Sequence, residues 1–286
     1  MILDIKAIKH FDINKIADSG QAFRFKRLGD NYYSVIHSYR YLEIKQVDSR
    51  LYLSCNNEEY YSAWRNYFDF GTNYDAIQSL GNSFNDRFLD DSIEYGKGIR
   101  ILRQDFFEIL ISFIISQRKS IPAIKSSIEK ICEKYGFFKL GKSLDGKTVS
   151  YYTFPTPRIL SEATVEDLKE CGVGYRAEYI IAAAKWWIKY ASNWDISEIP
   201  YETICPILIN DIKGVGIKVA NCVCLFGLHQ LKAAPVDVWI QKIITEEYEN
   251  VIPEWMDSPY AGVYQQYAFY YRRSDEYNKI PQGENL

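Results

Sequence analysis

The sequence predicts an α+β chain, with a β-containing region over about residues 1–100 and an all-helical body over 101–286. Three observations predict it. Short segments rich in β-branched and aromatic residues cluster between residues 31 and 55. A helical hydrophobic period dominates from Asp105 onward. Two Gly-Val-Gly turns, at 172–174 and 214–216, each join a pair of helical patterns.

In chain order, NYYSVIHSY (31–39), RYLEIKQV (40–47) and RLYLSC (50–55), interrupted by Gly29-Asp30 and Asp48-Ser49, read as a small antiparallel sheet with tight turns. From Glu58 to Phe88 the pattern turns helical, with polar breaks at Gly71-Thr72 and Gly81-Asn82. In 105–119, Phe106, Ile109, Leu110, Phe113 and Ile114 share one face, and Asp105 with Glu108 resembles a capping box. Residues 121–136 repeat the period, with Pro122 suited to a first turn and Gly136 as a stop. The polar stretch 138–157 reads as a surface excursion that returns to the core. Segments 165–188 and 201–227 each read as two helices about a glycine turn, with Pro206 expected in a first turn. A last helical pair follows, one helix after Asp237 and one over 260–273, before a frayed tail KIPQGENL.

A chain of 286 residues, 47% hydrophobic and 25% charged, has the composition of a globular protein with a substantial core. No signal-peptide pattern or membrane-length apolar run is present, which leads to the expectation of a cytoplasmic, nucleoid-associated protein without membrane contact. The six cysteines are dispersed among three histidines, and Cys222-Val-Cys224 has the wrong spacing for a zinc knuckle or a redox pair. They read as reduced and structural; no metal and no cofactor is expected. The formal charge of −3 argues weakly against nucleic acid, because helix N-termini and a few local cations suffice to hold phosphates.

The sharpest local signal is Ile212-Lys213-Gly214-Val215-Gly216-Ile217-Lys218-Val219-Ala220. Gly214 and Gly216 permit a tight turn, and the free N–H groups of the helix behind them suit a DNA phosphate. A buried αα-corner with a surface lysine has the same spelling. Ala234-Pro235-Val236-Asp237-Val238 tips the balance: Pro235 extends the chain, Asp237 caps a helix, and a fold-back of the Lys218 helix would join an amine to a carboxylate. Such a pair fits base excision, in which a neutral lysine amine attacks the deoxyribose C1′ and a carboxylate stabilises the positive sugar.

At this point the sequence resembles the 8-oxoguanine DNA glycosylases of the helix-hairpin-helix superfamily over about residues 15–275. Six pieces in order carry the resemblance: SGQAFRF (19–25), FIIS (113–116), GVGYRAEYI (172–180), KGVGIKVANCVCL (213–225), APVDVW (234–239) and YAGVYQQYAF (260–269). It implies a small twisted antiparallel sheet packed on a two-part helical body, with the hairpin at about 203–226 and the active site between the helical parts. No cysteine follows Cys224, so the resemblance is to members without an iron-sulfur cluster. It implies a monomer that acts on damaged double-stranded DNA as glycosylase and lyase.

Residue by residue, the resemblance makes Lys218 the Schiff-base nucleophile and Asp237 its carboxylate. Gly20 offers the carbonyl that accepts the N7–H of 8-oxoguanine, where guanine presents a repelling lone pair. Gln265 reads the Watson–Crick edge, Phe269 stacks on the base and Cys222 lines the pocket. Tyr175 wedges into the duplex and Arg176 bonds to the estranged base, while Lys119, Lys213, Gly214 and Gly216 meet the DNA backbone. Four positions depart from the family pattern. Arg118 replaces an asparagine and Ala123 an arginine of the cytosine-reading set, Trp239 replaces a histidine near a phosphate, and Lys213 replaces a proline. Weakened discrimination for cytosine opposite the lesion is expected. The carbonyls of Asn210, Ile212 and Val215 correspond to an optional structural cation site. The alternatives are a glycosylase for another damaged purine, or a non-catalytic DNA-binding module.

Overall fold

A computed structural model describes residues 2–193 and 196–278. Five antiparallel strands open it: β1 (Leu3–Lys6), β2 (Phe25–Gly29), β3 (Tyr32–His37), β4 (Arg40–Val47) and β5 (Arg50–Leu53), in the order β1-β5-β4-β3-β2. The three expected strands form the centre, and the two edges are additional. Sequence patterning misses the edges because LDIK is only one turn-length long and FKRLG exposes Lys26, Arg27 and Leu28 in succession. Their identity comes from ladder partners: Leu3 opposite Leu53, and Phe25 opposite Val35.

Helix α1 (Ile13–Asp18) is capped by Asp12, whose carboxylate accepts from the amides of Asn14 and Lys15. It covers the sheet together with α2 (Asn57–Glu59), a π-helical turn at Tyr60–Trp64 and α3 (Arg65–Tyr67). Their shared core includes Ile13, Val35, Leu42, Ile44, Leu51, Trp64 and Phe68. Helices α4 (Tyr74–Asn82) and α5 (Arg87–Gly96) instead put Tyr74, Ile77, Leu89 and Ile93 into the helical core. The expected break at Gly81-Asn82 is the last turn of α4. Gly81 lets α5 and the later Tyr264 approach, since a Cβ there would lie 2.5 Å from Ile93 and 2.9 Å from Tyr264.

The body is built around α6 (Phe106–Ser116), buried on every side rather than on one face: Phe106, Phe107 and all of Ile109–Ile115 are inaccessible. Asp105 accepts from the Glu108 amide as expected, but the capping box is not reciprocal. The Glu108 side chain turns inward, where burial pushes its carboxyl up to about 8 against the pull of Arg24. Helix α7 (Ile121–Tyr135) follows, with Pro122 in its first turn. The stretch expected as a polar excursion is a hairpin, β6 (Phe138–Lys142) paired with β7 (Thr148–Tyr152). It leans on the first sheet: Tyr151 donates to the Tyr39 carbonyl at 2.7 Å, and the Leu144 amide donates to Glu43 at 2.8 Å.

Helices α8 (Pro157–Glu162), α9 (Val165–Glu170) and α10 (Ala177–Tyr190) lead to the hairpin pair α11 (Tyr201–Asp211) and α12 (Ile217–Gly227). Pro206 lies inside α11, not in its first turn, because the helix begins at Tyr201 immediately after Pro200. The chain closes with α13 (Val238–Glu247), α14 (Ala261–Arg272) and α15 (Asp275–Asn278). The KIPQGENL tail lies outside the described residues. Among the described residues no helix is long and apolar enough to cross a membrane.

Candidate active site

A cleft of about 950 Å³ opens between α6, α7, α12, α13 and α14, with the Ser19-Gly20 turn of the amino-terminal region at one wall. It gathers residues from five sequence segments: Gly20, Arg118 and Lys119, Lys218 and Cys222, Asp237 and Trp239, and Gln265 and Phe269. Four cationic side chains line it (Arg118, Lys119, Lys218 and Arg273) against one carboxylate, Asp237. A chain with a net charge of −3 thus presents a positive cleft.

Lys218 stands in the first turn of α12, and its ammonium sits 5.1 Å over the Phe113 ring. One helical turn on, Cys222 is buried behind it; burial pushes that thiol up to about 11, while Lys218 opposes the shift and Asp237 adds to it. The three groups are therefore electrostatic neighbours, which their spacing in sequence did not guarantee. Asp237 caps α13 by accepting from the amides of Trp239 at 2.9 Å and Ile240 at 3.0 Å. Those bonds use one oxygen, Oδ1, and Asp237 lines the same cleft as Lys218.

The opposite wall is rigid. Gly20 adopts φ +81°, and a Cβ there would meet the Phe269 ring at 3.6 Å. The carbonyls on either side are held by side chains: Gln266 donates to Ser19 at 2.7 Å and Gln104 to Gln21 at 2.8 Å. Gln21 in turn accepts from the Leu102 amide at 2.8 Å. With its neighbours pinned, Gly20 keeps one orientation. Gln265 lines the cleft, buried with its Oε1 unpartnered, so a buried acceptor is left free for a ligand's donor. Sequence reading passed over Gln266 and Gln104; the adjacent Gln265-Gln266 pair, both lining the cleft with Gln266 bonded to Ser19, was the available signal for the former.

The hairpin turn lies at the mouth. Gly214 adopts φ +85°, and a Cβ would fall 2.3 Å from the Tyr179 ring, so the turn is packed against α10. Gly216 is the N-cap of α12 with nothing within 4 Å of an added Cβ, leaving its amide end open. Gln117 ties the turn to the end of α6 by donating to the Gly214 carbonyl at 3.1 Å. Lys213 pairs with Glu178 at 3.1 Å and lies over Tyr179. The Ile212 carbonyl accepts from the Val215 amide at 3.1 Å, so a cation bound by this turn would share that oxygen. Among the described residues no cluster of three or more His, Cys, Asp or Glu side chains is placed to hold a metal.

Not every expected DNA contact faces the cleft. Tyr175 is exposed at the tip of its turn, 53% accessible, as a wedge requires. Arg176 is instead buried, donating to the Val173 carbonyl at 3.1 Å and to the Gln117 carbonyl, and so joins the two loops that flank the cleft. Lys119 is similarly engaged, by Ser127 at 2.6 Å and the Gly172 carbonyl at 2.8 Å, and burial together with Arg176 and Lys130 lowers its pKa. Arg118 is exposed on a left-handed backbone, φ +52°, the conformation that turns the chain from α6 into α7.

The sequence matches the family described as 8-oxoguanine DNA glycosylase, N-terminal domain, over residues 3–110, and the HhH-GPD superfamily base excision DNA repair protein over residues 111–250. The apo structure of 8-oxoguanine glycosylase/lyase from Clostridium acetobutylicum is 34% identical, covers 95% of this chain and 98% of its own, and superposes with a TM-score of 0.83. This chain belongs to the 8-oxoguanine DNA glycosylase family. The Clostridium protein in complex with dsDNA containing cytosine opposite to 8-oxoG is 33% identical, covers 97% and 98% of the two chains, and gives a TM-score of 0.79. The N-glycosylase/DNA lyase of Saccharomyces cerevisiae is 37% identical over 186 residues, 60% of this chain. The matched stretches span between 48% and 63% of the length of the curated relatives. The family fold, a small antiparallel sheet on a helical hairpin-bearing body, is the one described above.

Proposed function

We propose that this protein is a bifunctional DNA glycosylase and lyase that removes 8-oxoguanine from duplex DNA. The observation that carries the reading is the convergence of Lys218, Asp237, Gly20, Gln265 and Phe269 on one cleft beside an open helix N-terminus. In this reading the hairpin holds a phosphate on the amides behind Gly216, Tyr175 fills the stack, and the damaged nucleotide swings into the cleft. Phe269 stacks on the base, Gln265 meets its Watson–Crick edge, and the Gly20 carbonyl accepts the N7–H that only the oxidised base carries.

The neutral Lys218 amine then forms a bond to C1′ as the N-glycosidic bond breaks and its electron pair leaves with the base. Asp237, held by the α13 cap, stabilises the positive charge that develops on the sugar. Loss of a proton from the amine and ring opening at C1′–O4′ give an iminium. Abstraction of a C2′ proton expels the 3′ phosphate, and water releases the lysine. A single chain carries nucleophile, carboxylate and base readers, which supports a monomer acting on damaged duplex; such a substrate implies work at the nucleoid, in the cytoplasm. The exposed Arg118, the internally committed Arg176 and the side chain of Ala123 support a weakened preference for cytosine opposite the lesion.

Borohydride trapping on an 8-oxoguanine duplex tests the reading. The natural protein is expected to form a covalent complex and Lys218→Gln to form none; efficient trapping by the variant would reject Lys218 as the nucleophile.

A further inference from the structure

Two adjacent arginines end α14 with opposite assignments. Arg272 is buried, pairs with Glu246 and lies over Tyr277. Arg273, the C-cap of the same helix, is exposed to the cleft, with its guanidinium 4.9 Å from the centre of the Phe269 ring. No acidic partner or hydrogen bond engages Arg273 among the described residues. Of the four cations lining the cleft, Lys119 is spent on Ser127 and Gly172, Lys218 sits beside Cys222, and Arg118 lies on the α6–α7 turn. Among the described residues, Arg273 is the cleft cation on the Phe269 side that no carboxylate or hydrogen bond engages.

We propose that Arg273 grips a DNA phosphodiester flanking the extruded nucleotide. The inference rests on the reading that this cleft takes such a nucleotide, and it goes beyond that reading by assigning the backbone contact. A cation over one face of Phe269 leaves the other face for the base, so the ring stands between the guanidinium and the base edge. The ligand of Arg273 is then the sugar-phosphate chain, for which the planar guanidinium fork is suited. Trp239 also lines the cleft but carries no charge, and the cation at its ring, Lys242 at 5.1 Å from the centre, is not part of the cleft lining. Seating the cation on the stacking ring also couples backbone grip to ring orientation.

The test uses the full chain and a duplex carrying a tetrahydrofuran abasic site, with natural linkages or with one uncharged methylphosphonate on either side of that site. Arg273→Gln is expected to weaken binding about tenfold and to lower the slope of log K against log salt by about 0.9. Arg273→Lys is expected to keep that slope. On one of the two methylphosphonate duplexes the natural protein should lose about the same affinity, and Arg273→Gln should lose no more. An unchanged salt slope, or losses that multiply on both duplexes, would overturn the assignment. So would a variant that keeps its slope but loses selectivity for 8-oxoguanine over guanine in single-turnover excision, which would make Arg273 a base reader. Failure of the natural protein itself to excise 8-oxoguanine would refute the proposed function instead.

Discussion

Gly214 and Gly216 stand two residues apart in one turn, yet the structure gives them opposite tolerances. Alanine at Gly214 must adopt φ +85° and place a methyl 2.3, 2.5 and 2.7 Å from Cδ2, Cγ and Cε2 of Tyr179. Those atoms are the body of a ring, which cannot yield by rotating a flexible end. Left-handed backbone costs an L-residue about 1–2 kcal/mol and overpacking about 1–3 kcal/mol, so Gly214→Ala is expected to lose about 3 kcal/mol. A shift of about 6 °C or more in melting temperature follows for a chain of this size. Tyr179 also packs edge-on against the exposed Tyr175 at 5.9 Å, so its displacement moves that side chain. Alanine at Gly216 meets nothing within 4 Å at ordinary backbone angles, and its stability should change by no more than about 0.5 kcal/mol. If the α12 amides hold a DNA phosphate as proposed, its methyl would stand in the way, costing about tenfold in DNA affinity, or about 1.4 kcal/mol. Urea denaturation and fluorescence anisotropy with a labelled duplex separate the two effects. A Gly214→Ala protein with the natural midpoint, or a Gly216→Ala protein equally destabilised, would refute the reasoning.

Three further outcomes are expected. Asp237→Asn keeps a good N-cap and should melt within about 0.5 kcal/mol of the natural protein, but single-turnover excision should fall at least about a hundredfold; near-natural excision would remove the carboxylate from the mechanism. Excision from duplexes with cytosine, adenine, guanine or thymine opposite 8-oxoguanine should show a cytosine preference below about a hundredfold, or roughly 2.7 kcal/mol, and a larger ratio would sink the account of Arg118 and Ala123. His37 packs 4.5 Å from the Tyr67 ring, and burial, aided by Arg40, lowers its pKa from 6.5 to about 4. The unfolded chain therefore binds the extra proton first, so stability falls as pH drops from 6.5 towards 4, by up to about 3 kcal/mol. His37→Gln should flatten that part of the urea-midpoint profile; an unchanged profile would assign the acid sensitivity elsewhere.

Much of the site was legible because it is written in short-range spacing. Gly-Val-Gly followed by Lys218 specifies a turn and a helix start, and Asp237 after Pro235 specifies a cap, since both depend on backbone geometry within a few residues. Gln265 and Phe269 are four apart on one helix and so share a face wherever that helix packs. The central strands and most helices were likewise visible as local periods, and resemblance supplied the chemistry that joins them. What could not be read was how each charge is spent. Lys119 and Arg176 spell DNA contacts but donate to carbonyls from neighbouring loops, whereas Arg272 and Arg273 look alike and face opposite ways. Strand β1 finds its ladder only on β5, far along the chain, and Gly81, which reads locally as a break, is the helical position where Ile93 and Tyr264 leave no room for a Cβ. The sequence by itself determined the turns, caps and helix faces, whose energies are local. Only tertiary structure decided which polar groups reach a partner, because that depends on distances between segments far apart in the chain.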